Sequence, residues 1–151
     1  MAGVSLGGHT AWRIASLASP GQFHAYAMIV GCPKLSSLLL DRLKRNSTES
    51  EKQQSRWPQA LSEIVDRDDR EVANYFPNNV PLLLCNGAYD RLVPAKYTAE
   101  WIEERRSKGC EQDITFYVQE NTGHSCTKEM VAMMAVWLRD ILPAPSSHPV
   151  L

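Results

Sequence analysis

The chain has 151 residues, 44% hydrophobic and 22% charged, with 16 Lys and Arg against 17 Asp and Glu for a net charge of −1. That composition is ordinary for one soluble globular domain, which at this length buries about 68–70% of the surface its unfolded chain exposes. Mixed, near-neutral charge excludes a basic footprint for nucleic acid and a polybasic membrane anchor, and no apolar run approaches the roughly 18 residues of a membrane span.

The chain begins with a G-x-S-x-G pentapeptide, Gly3-Val4-Ser5-Leu6-Gly7. From Leu6 to Ala18 the residues read as a helix with Leu6, Ile14, Leu17 and several alanines on its packing side. Ser19-Pro20-Gly21 ends it, because proline cannot continue a helix and glycine permits the turn. "HAYAMIVG" follows, short and uniformly apolar, which fits a strand buried on both faces.

Residues 34 to 76 interrupt that pattern. Leu35, Leu38, Leu39 and Leu43 recur at helical spacing, "RNSTESEKQQSR" is polar, and a second helical pattern after Trp57-Pro58 uses Leu61, Ile64, Val65 and Val72. The block reads as a helical insertion with a mobile linker. Leu38-Leu39-Leu40 reads as a buried helix face that, in a lid, would also contact an apolar acyl group.

"VPLLLCNG" is a second buried-strand candidate, followed by a loop from Asp90 to Pro94. Pro94 suits the first turn of a helix running to Lys108-Gly109, with Tyr97, Trp101 and Ile102 on one side. Arg105, Arg106 and Lys108 favour its C-terminal dipole, and Gly109 is its stop. "DITFYVQE" alternates as a third strand. After "NTGHSC", a last helix from about Thr127 to Leu142 carries the stripe Met130, Val131, Met134, Trp137, Leu138 and Ile141. The Pro- and Ser-containing tail, 143–151, is expected to fray.

No charged-then-apolar leader is visible, and Cys32, Cys85, Cys110 and Cys126 are widely spaced without a C-x-x-C. The expectation is a cytoplasmic chain with reduced thiols, which leaves the acceptor pattern Asn46-Ser47-Thr48 without meaning. His9 and His24 are assigned to structure, with His9 one helical turn from Ser5, and His148 belongs to the tail.

Helix–strand, strand–helix, strand–helix order argues for a parallel sheet with flanking helices. All strand C-termini then emerge at one edge, where ligands bind. Ser5, Asp90 and His124 each fall at the end of a strand or implied strand. Taken singly, Ser5 is a turn or cap serine, Asp90 a helix cap and His124 a loop residue. Together they supply a hydroxyl, a carboxylate and an imidazole at one rim. A base must take the serine proton, histidine titrates in the right range, and a carboxylate on the other ring nitrogen fixes the tautomer. Gly3 and Gly7 permit a sharp elbow, with Gly7 expected to let the helix pack close. The Leu6 amide at the helix start would point toward a developing oxyanion.

These motifs resemble the C-terminal part of an α/β-hydrolase. "GVSLGGH" is similar to that superfamily's nucleophile elbow, "NGAYDRLVP" to its acid loop and "GHS" to its histidine loop, in the superfamily's order. "GVSLGGHTAW" followed by "IVGCP" looks most like esterases and dienelactone hydrolases related to prolyl oligopeptidases. The resemblance implies an incomplete α/β-hydrolase fold over residues 1–142, with 34–76 as a helical cap. Ser5 would be the nucleophile, Asp90 the acid and His124 the general base, with no metal or organic cofactor.

Only four residues precede Ser5, so the strands before the elbow, including the one feeding Ser5, and the second oxyanion loop are expected to be absent. "HAYAMIV" would then present a bare apolar edge through which the chain self-associates. Two functions are open: a serine hydrolase acting on a small ester or acyl substrate, less favourably peptides or lactones; or a non-catalytic half-domain, inactive or completed by another chain.

Overall fold

The computed structural model describes residues 1–46, 58–110 and 113–142. Among them lie strands β1 (Ala2–Val4), β2 (Tyr26–Ile29), β3 (Leu82–Gly87) and β4 (Ile114–Gln119), and helices α1 (Leu6–Leu17), α2 (Leu35–Asn46), α3 (Gln59–Tyr75), α4 (Lys96–Ser107) and α5 (Lys128–Ile141). The acceptor pattern at Asn46-Ser47-Thr48, the polar stretch up to Trp57 and the tail with His148 lie outside the described residues or run into them.

The four strands form one parallel sheet in the order β1-β2-β3-β4. With strands added in sequence and a single crossover hand, every connecting helix must land on the same face. Trp12 of α1, Val72 of α3 and Trp101 of α4 accordingly pack together on Tyr26, Met28, Leu82 and Leu84. After β4 the chain returns under the sheet, where Met130 and Trp137 of α5 cover Ala27, Ile29, Leu83 and Cys85. Alternation along each strand divides these two sets, and the register Met28–Leu84–Phe116 aligns one row across three strands.

β1 corrects the expectation that no strand feeds Ser5. Ala2, Gly3 and Val4 pair with Ala27, Met28 and Ile29. Ala27 N–H donates to the Met1 carbonyl and Ser5 N–H to the Ile29 carbonyl, each at 2.9 Å. Three residues around a glycine carry no periodicity of their own; the unpaired amides and carbonyls of β2 make them a strand. β2 is therefore interior, and among the described residues β1 is the outermost strand on that side.

The packing side of α1 also differs from the pattern. Leu6 and Leu17 are 76% and 62% exposed, while Gly8, Ala11, Trp12, Ala15 and Ser16 face inward. Small residues on that stripe let the helix axis approach the sheet, and Trp12 fills the space beyond them. A Cβ on Gly8 would lie 2.9 Å from Gly31 Cα, and one on Gly31 would lie 2.8 Å from the Gly8 carbonyl carbon.

On the same face, Trp12 meets Trp101 edge-on at 4.5 Å and Phe76 at 5.2 Å. Arg105, read from the sequence as favouring the C-terminal dipole of α4, is buried with its guanidinium over Phe76 and Trp101 and bonded to the Pro77 carbonyl and Asn78. Cation–π attraction and those two acceptors offset its desolvation. α3 buries Val65 and Val72 but leaves Leu61 and Ile64 half-exposed, and Val131 on α5 also faces out. Pro94 precedes α4 rather than opening it, its carbonyl accepting the Tyr97 N–H. Thr127 caps α5 by accepting the Met130 N–H. Among the described residues no helix is long and apolar enough to cross a membrane.

A Gly8→Ala substitution should cost about 1–3 kcal/mol, because both nearest obstacles are backbone. Gly7→Ala, where nothing lies within 4 Å of the new methyl, should be neutral or gain up to about 1 kcal/mol of helix propensity. Urea unfolding of both variants checks this; equal midpoints would refute the close packing of α1 on Gly31.

Candidate active site

Ser5 joins β1 to α1 with φ 53° and ψ −114°. A non-glycine residue in that region costs on the order of 1–3 kcal/mol and persists only where its surroundings over-determine it. Here both backbone groups are committed: Ser5 N–H donates to Ile29 of β2, and the Ser5 carbonyl accepts the His9 N–H of α1 at 3.0 Å. The close approach falls on Gly3 rather than on Gly7. A Cβ on Gly3 would lie 2.0 Å from the Gly7 carbonyl oxygen, whereas Gly7 itself has open space. The reason is direction: the first turn of α1 folds back over β1, so the strand residue faces helix backbone and the helix residue faces outward.

Asp90 follows β3 and is buried. Its Oδ1 accepts the amides of Leu92 and Val93, both at 2.8 Å, which turns the loop around the carboxylate. Its Oδ2 lies 2.8 Å from His124 Nδ1. The loop carrying His124 is joined to the Asp90 loop by Ala88 N–H to Gln119 and Tyr89 N–H to Thr122, at 2.9 and 2.8 Å.

His124 Nε2 lies 2.7 Å from Ser5 Oγ. With Nδ1–H donating to Asp90, the neutral ring presents Nε2 as acceptor, and the Ser5 hydroxyl donates. Ser5, His124 and Asp90 thus form one continuous line of hydrogen bonds from three strand ends. Leu6 exposes its side chain, and its N–H belongs to the first turn of α1, which no helical carbonyl reaches. Among the described residues, no three His, Cys, Asp or Glu side chains converge as a metal would require.

His9 stands beside this line but outside it. Cys32 N–H donates to its Nδ1 at 3.0 Å. Burial lowers its pKa from 6.5, outweighing the opposing pull of the Cys32 carbonyl, and Arg42 and His124 lower it further. His24 is exposed at the other end of the sheet, on a groove of about 460 Å³ with Phe23 and Tyr75. All four cysteines are free. Burial pushes the Cys32 and Cys85 thiols up to about 12, which keeps them protonated and poor nucleophiles.

Patterning did not signal how α2 is held. Asp69 of α3 accepts the N–H groups of Leu35 and Ser36 at 2.8 and 2.9 Å, together with the Ser36 hydroxyl. Sequence rules for caps look within a few residues, and this carboxylate comes from another helix.

The model of the prolyl oligopeptidase family matches residues 1–142. Among solved structures, TT1662 from Thermus thermophilus is similar with a TM-score of 0.67 at 21% identity, over 95% of this chain and 54% of that one. Esterase PE8 matches with a TM-score of 0.59 at 17% identity, over 93% and 49%. A puromycin hydrolase variant matches with a TM-score of 0.67 at 17% identity, over 100% and 23%. The chain thus spans about half the length of the first two and less of the third. Among curated proteins, none matches in sequence.

The histidine burial has a measurable consequence. With its folded pKa lowered, His9 binds its proton more readily in the unfolded chain, so stability present above pH 6.5 is lost as pH falls below it toward the folded value. The urea midpoint of the wild type should therefore fall more steeply below about pH 6.5 than that of His9→Gln, which keeps an acceptor for Cys32 without titrating. Parallel curves for the two proteins would refute the assignment.

Proposed function

Since this chain belongs to the prolyl oligopeptidase family of serine hydrolases, we propose that its own chemistry is cleavage of carboxylic esters through an acyl-enzyme on Ser5. The observation that carries the proposal is the unbroken line Ser5 Oγ–His124 Nε2 at 2.7 Å and His124 Nδ1–Asp90 Oδ2 at 2.8 Å.

In this mechanism His124 Nε2 takes the hydroxyl proton as Ser5 Oγ bonds to the ester carbonyl carbon. The Leu6 N–H donates to the oxyanion, and Asp90 stabilises the imidazolium. The carbon–oxygen bond to the alcohol breaks, and the alcohol leaves with the proton from His124. Water, deprotonated by the same imidazole, then attacks the acyl carbon, the bond to Ser5 Oγ breaks, and Oγ takes the proton back from His124 as the acid leaves. No step calls for a metal or organic cofactor.

Esters are favoured over peptides and lactones by two features. Esterase PE8 shares the fold, and Leu6, Tyr89 and Leu92, next to the site residues in the chain, expose apolar surface suited to an acyl or alkyl group. Within the segment 34–76, α2 is the part assigned as a cap, because its arginines reach the loop after Asp90. α3 instead contributes Val72 to the core.

A fluorophosphonate probe should label the wild type and leave Ser5→Ala unlabelled. Asp90→Asn should lower the rate on p-nitrophenyl acetate by about 10⁴-fold, as expected when the imidazole loses its orienting carboxylate. A folded wild type that neither labels nor hydrolyses the ester would overturn the proposal.

The geometry of β1 favours a second reading, in which the chain works with another strand. The Met1 carbonyl and the Ser5 N–H both face β2, so by alternation the amides and carbonyls of Ala2 and Val4 face outward. A second copy pairing there would produce concentration-dependent oligomers. Ala2→Pro removes an outward donor without touching a β1–β2 bond, and should shift such oligomers to monomer in size-exclusion chromatography. A wild type that stays monomeric at every concentration would exclude self-association through this edge.

A further inference from the structure

We propose that Arg42 of α2 is a positioning residue for Asp90, acting through the backbone of Leu92; the inference rests on the roles assigned above to Ser5, Asp90 and His124. One face of α2 is turned to the segment that follows Asp90. Leu38 is buried there with Val93 and Tyr97. Asp41 accepts from Lys96 Nζ at 2.7 Å and from the Tyr97 hydroxyl. Arg42 Nη2 donates to the Leu92 carbonyl at 2.7 Å, and Arg45 Nη1 to the Arg91 carbonyl at 3.2 Å.

Leu92 is where these contacts meet the site. Its N–H binds Asp90 Oδ1 and its carbonyl binds Arg42, so a single residue's backbone spans the two side chains. Leu92 is 53% exposed, so its two backbone bonds hold it more than its packing does. Val93, by contrast, is anchored by its buried side chain. The Leu92 carbonyl shares one planar peptide unit with the Val93 N–H, the second donor to Asp90 Oδ1, so if that carbonyl swings free the Val93 amide turns with it and the other oxygen loses its alignment on His124 Nδ1.

Arg42 itself is held at a cost that a purely solvating surface arginine does not bear. Its Nε is buried without a hydrogen-bond partner among the described residues, and leaving such a donor unmet is unfavourable. The bond to Leu92 is what the guanidinium gains in exchange. A lysine in its place keeps the charge and a donor but not the planar fork.

The test compares Arg42→Met, which keeps the aliphatic stem and removes the donors, with Arg42→Lys. With p-nitrophenyl acetate, Arg42→Met should lower kcat by about tenfold with KM nearly unchanged, and Arg42→Lys should recover part of the loss. Since the effect passes through Asp90, Arg42→Met should add nothing in an Asp90→Asn background. A second readout needs no turnover: the downfield proton resonance of His124 Nδ1–H, identified by its loss in Asp90→Asn, should persist in wild type and Arg42→Lys and broaden away in Arg42→Met. If the wild type shows that resonance without hydrolysing the ester, the hydrolase assignment fails while the resonance still decides the role of Arg42. An Arg42→Met protein with the wild-type resonance, or one slowed by the same factor with and without Asp90, overturns the positioning role. Loss of folding in Arg42→Met shifts the comparison to Arg42→Lys, where a kcat equal to that of the wild type would overturn the role.

Discussion

The hydrogen bond from the Ser5 amide to the Ile29 carbonyl is the constraint on which the site depends. It terminates β1, it sets the point where the chain must turn into α1, and it holds a serine at a positive φ that the residue would not choose alone. The bond is possible because β2 is apolar on both faces and stays fully buried, so its carbonyls have nowhere to turn but to neighbouring strands. A strand of three residues is thereby made rigid enough to aim a side chain.

Everything on the helical face holds α1 in register with that turn. Gly8 lies against Gly31, Trp12 sits among Phe76 and Trp101, and Arg13 pairs with Asp68 at 3.3 Å and with Glu71, tying α1 to α3. These contacts lie 3 to 8 residues from Ser5 along a helix, which transmits position with little loss. The same aromatic cluster buries one end of α4, so the helix that follows the Asp90 loop is anchored to the helix that follows Ser5. Two of the three site residues therefore share one packed core.

The third is placed differently. His124 lies between β4 and α5, and its loop is joined to the Asp90 loop by backbone bonds and by the close approach of Gly87 to the Thr122 and Gly123 carbonyls. The Asp90 loop is thus gripped twice, by the histidine loop on one side and by α2 on the other. This arrangement places the arginines of α2, a segment outside the sheet, on the backbone that follows a buried carboxylate.

Much of this was legible in the residues themselves. Uniformly apolar runs announced β2 and β3, the alternation of helix and strand announced a parallel sheet, and three short motifs at strand ends placed Ser5, Asp90 and His124 on one rim. These features are local, and local chemistry is what a sequence records most directly. β1, the inward stripe of α1, the burial of Arg105 and the fall of the close helix approach on Gly3 instead of Gly7 were not legible. Each depends on which backbone lies opposite: β2 makes Ala2–Val4 a strand, the sheet selects Gly8 and Ala11 over Leu6 and Leu17, and the returning turn of α1 excludes a side chain from Gly3. The sequence by itself determined the chemistry available and the order of the elements. Only the tertiary structure decided which groups meet, because distances of 2.7 and 2.8 Å between residues 119 and 34 positions apart are set by the packing of the sheet and not by any pattern along the chain.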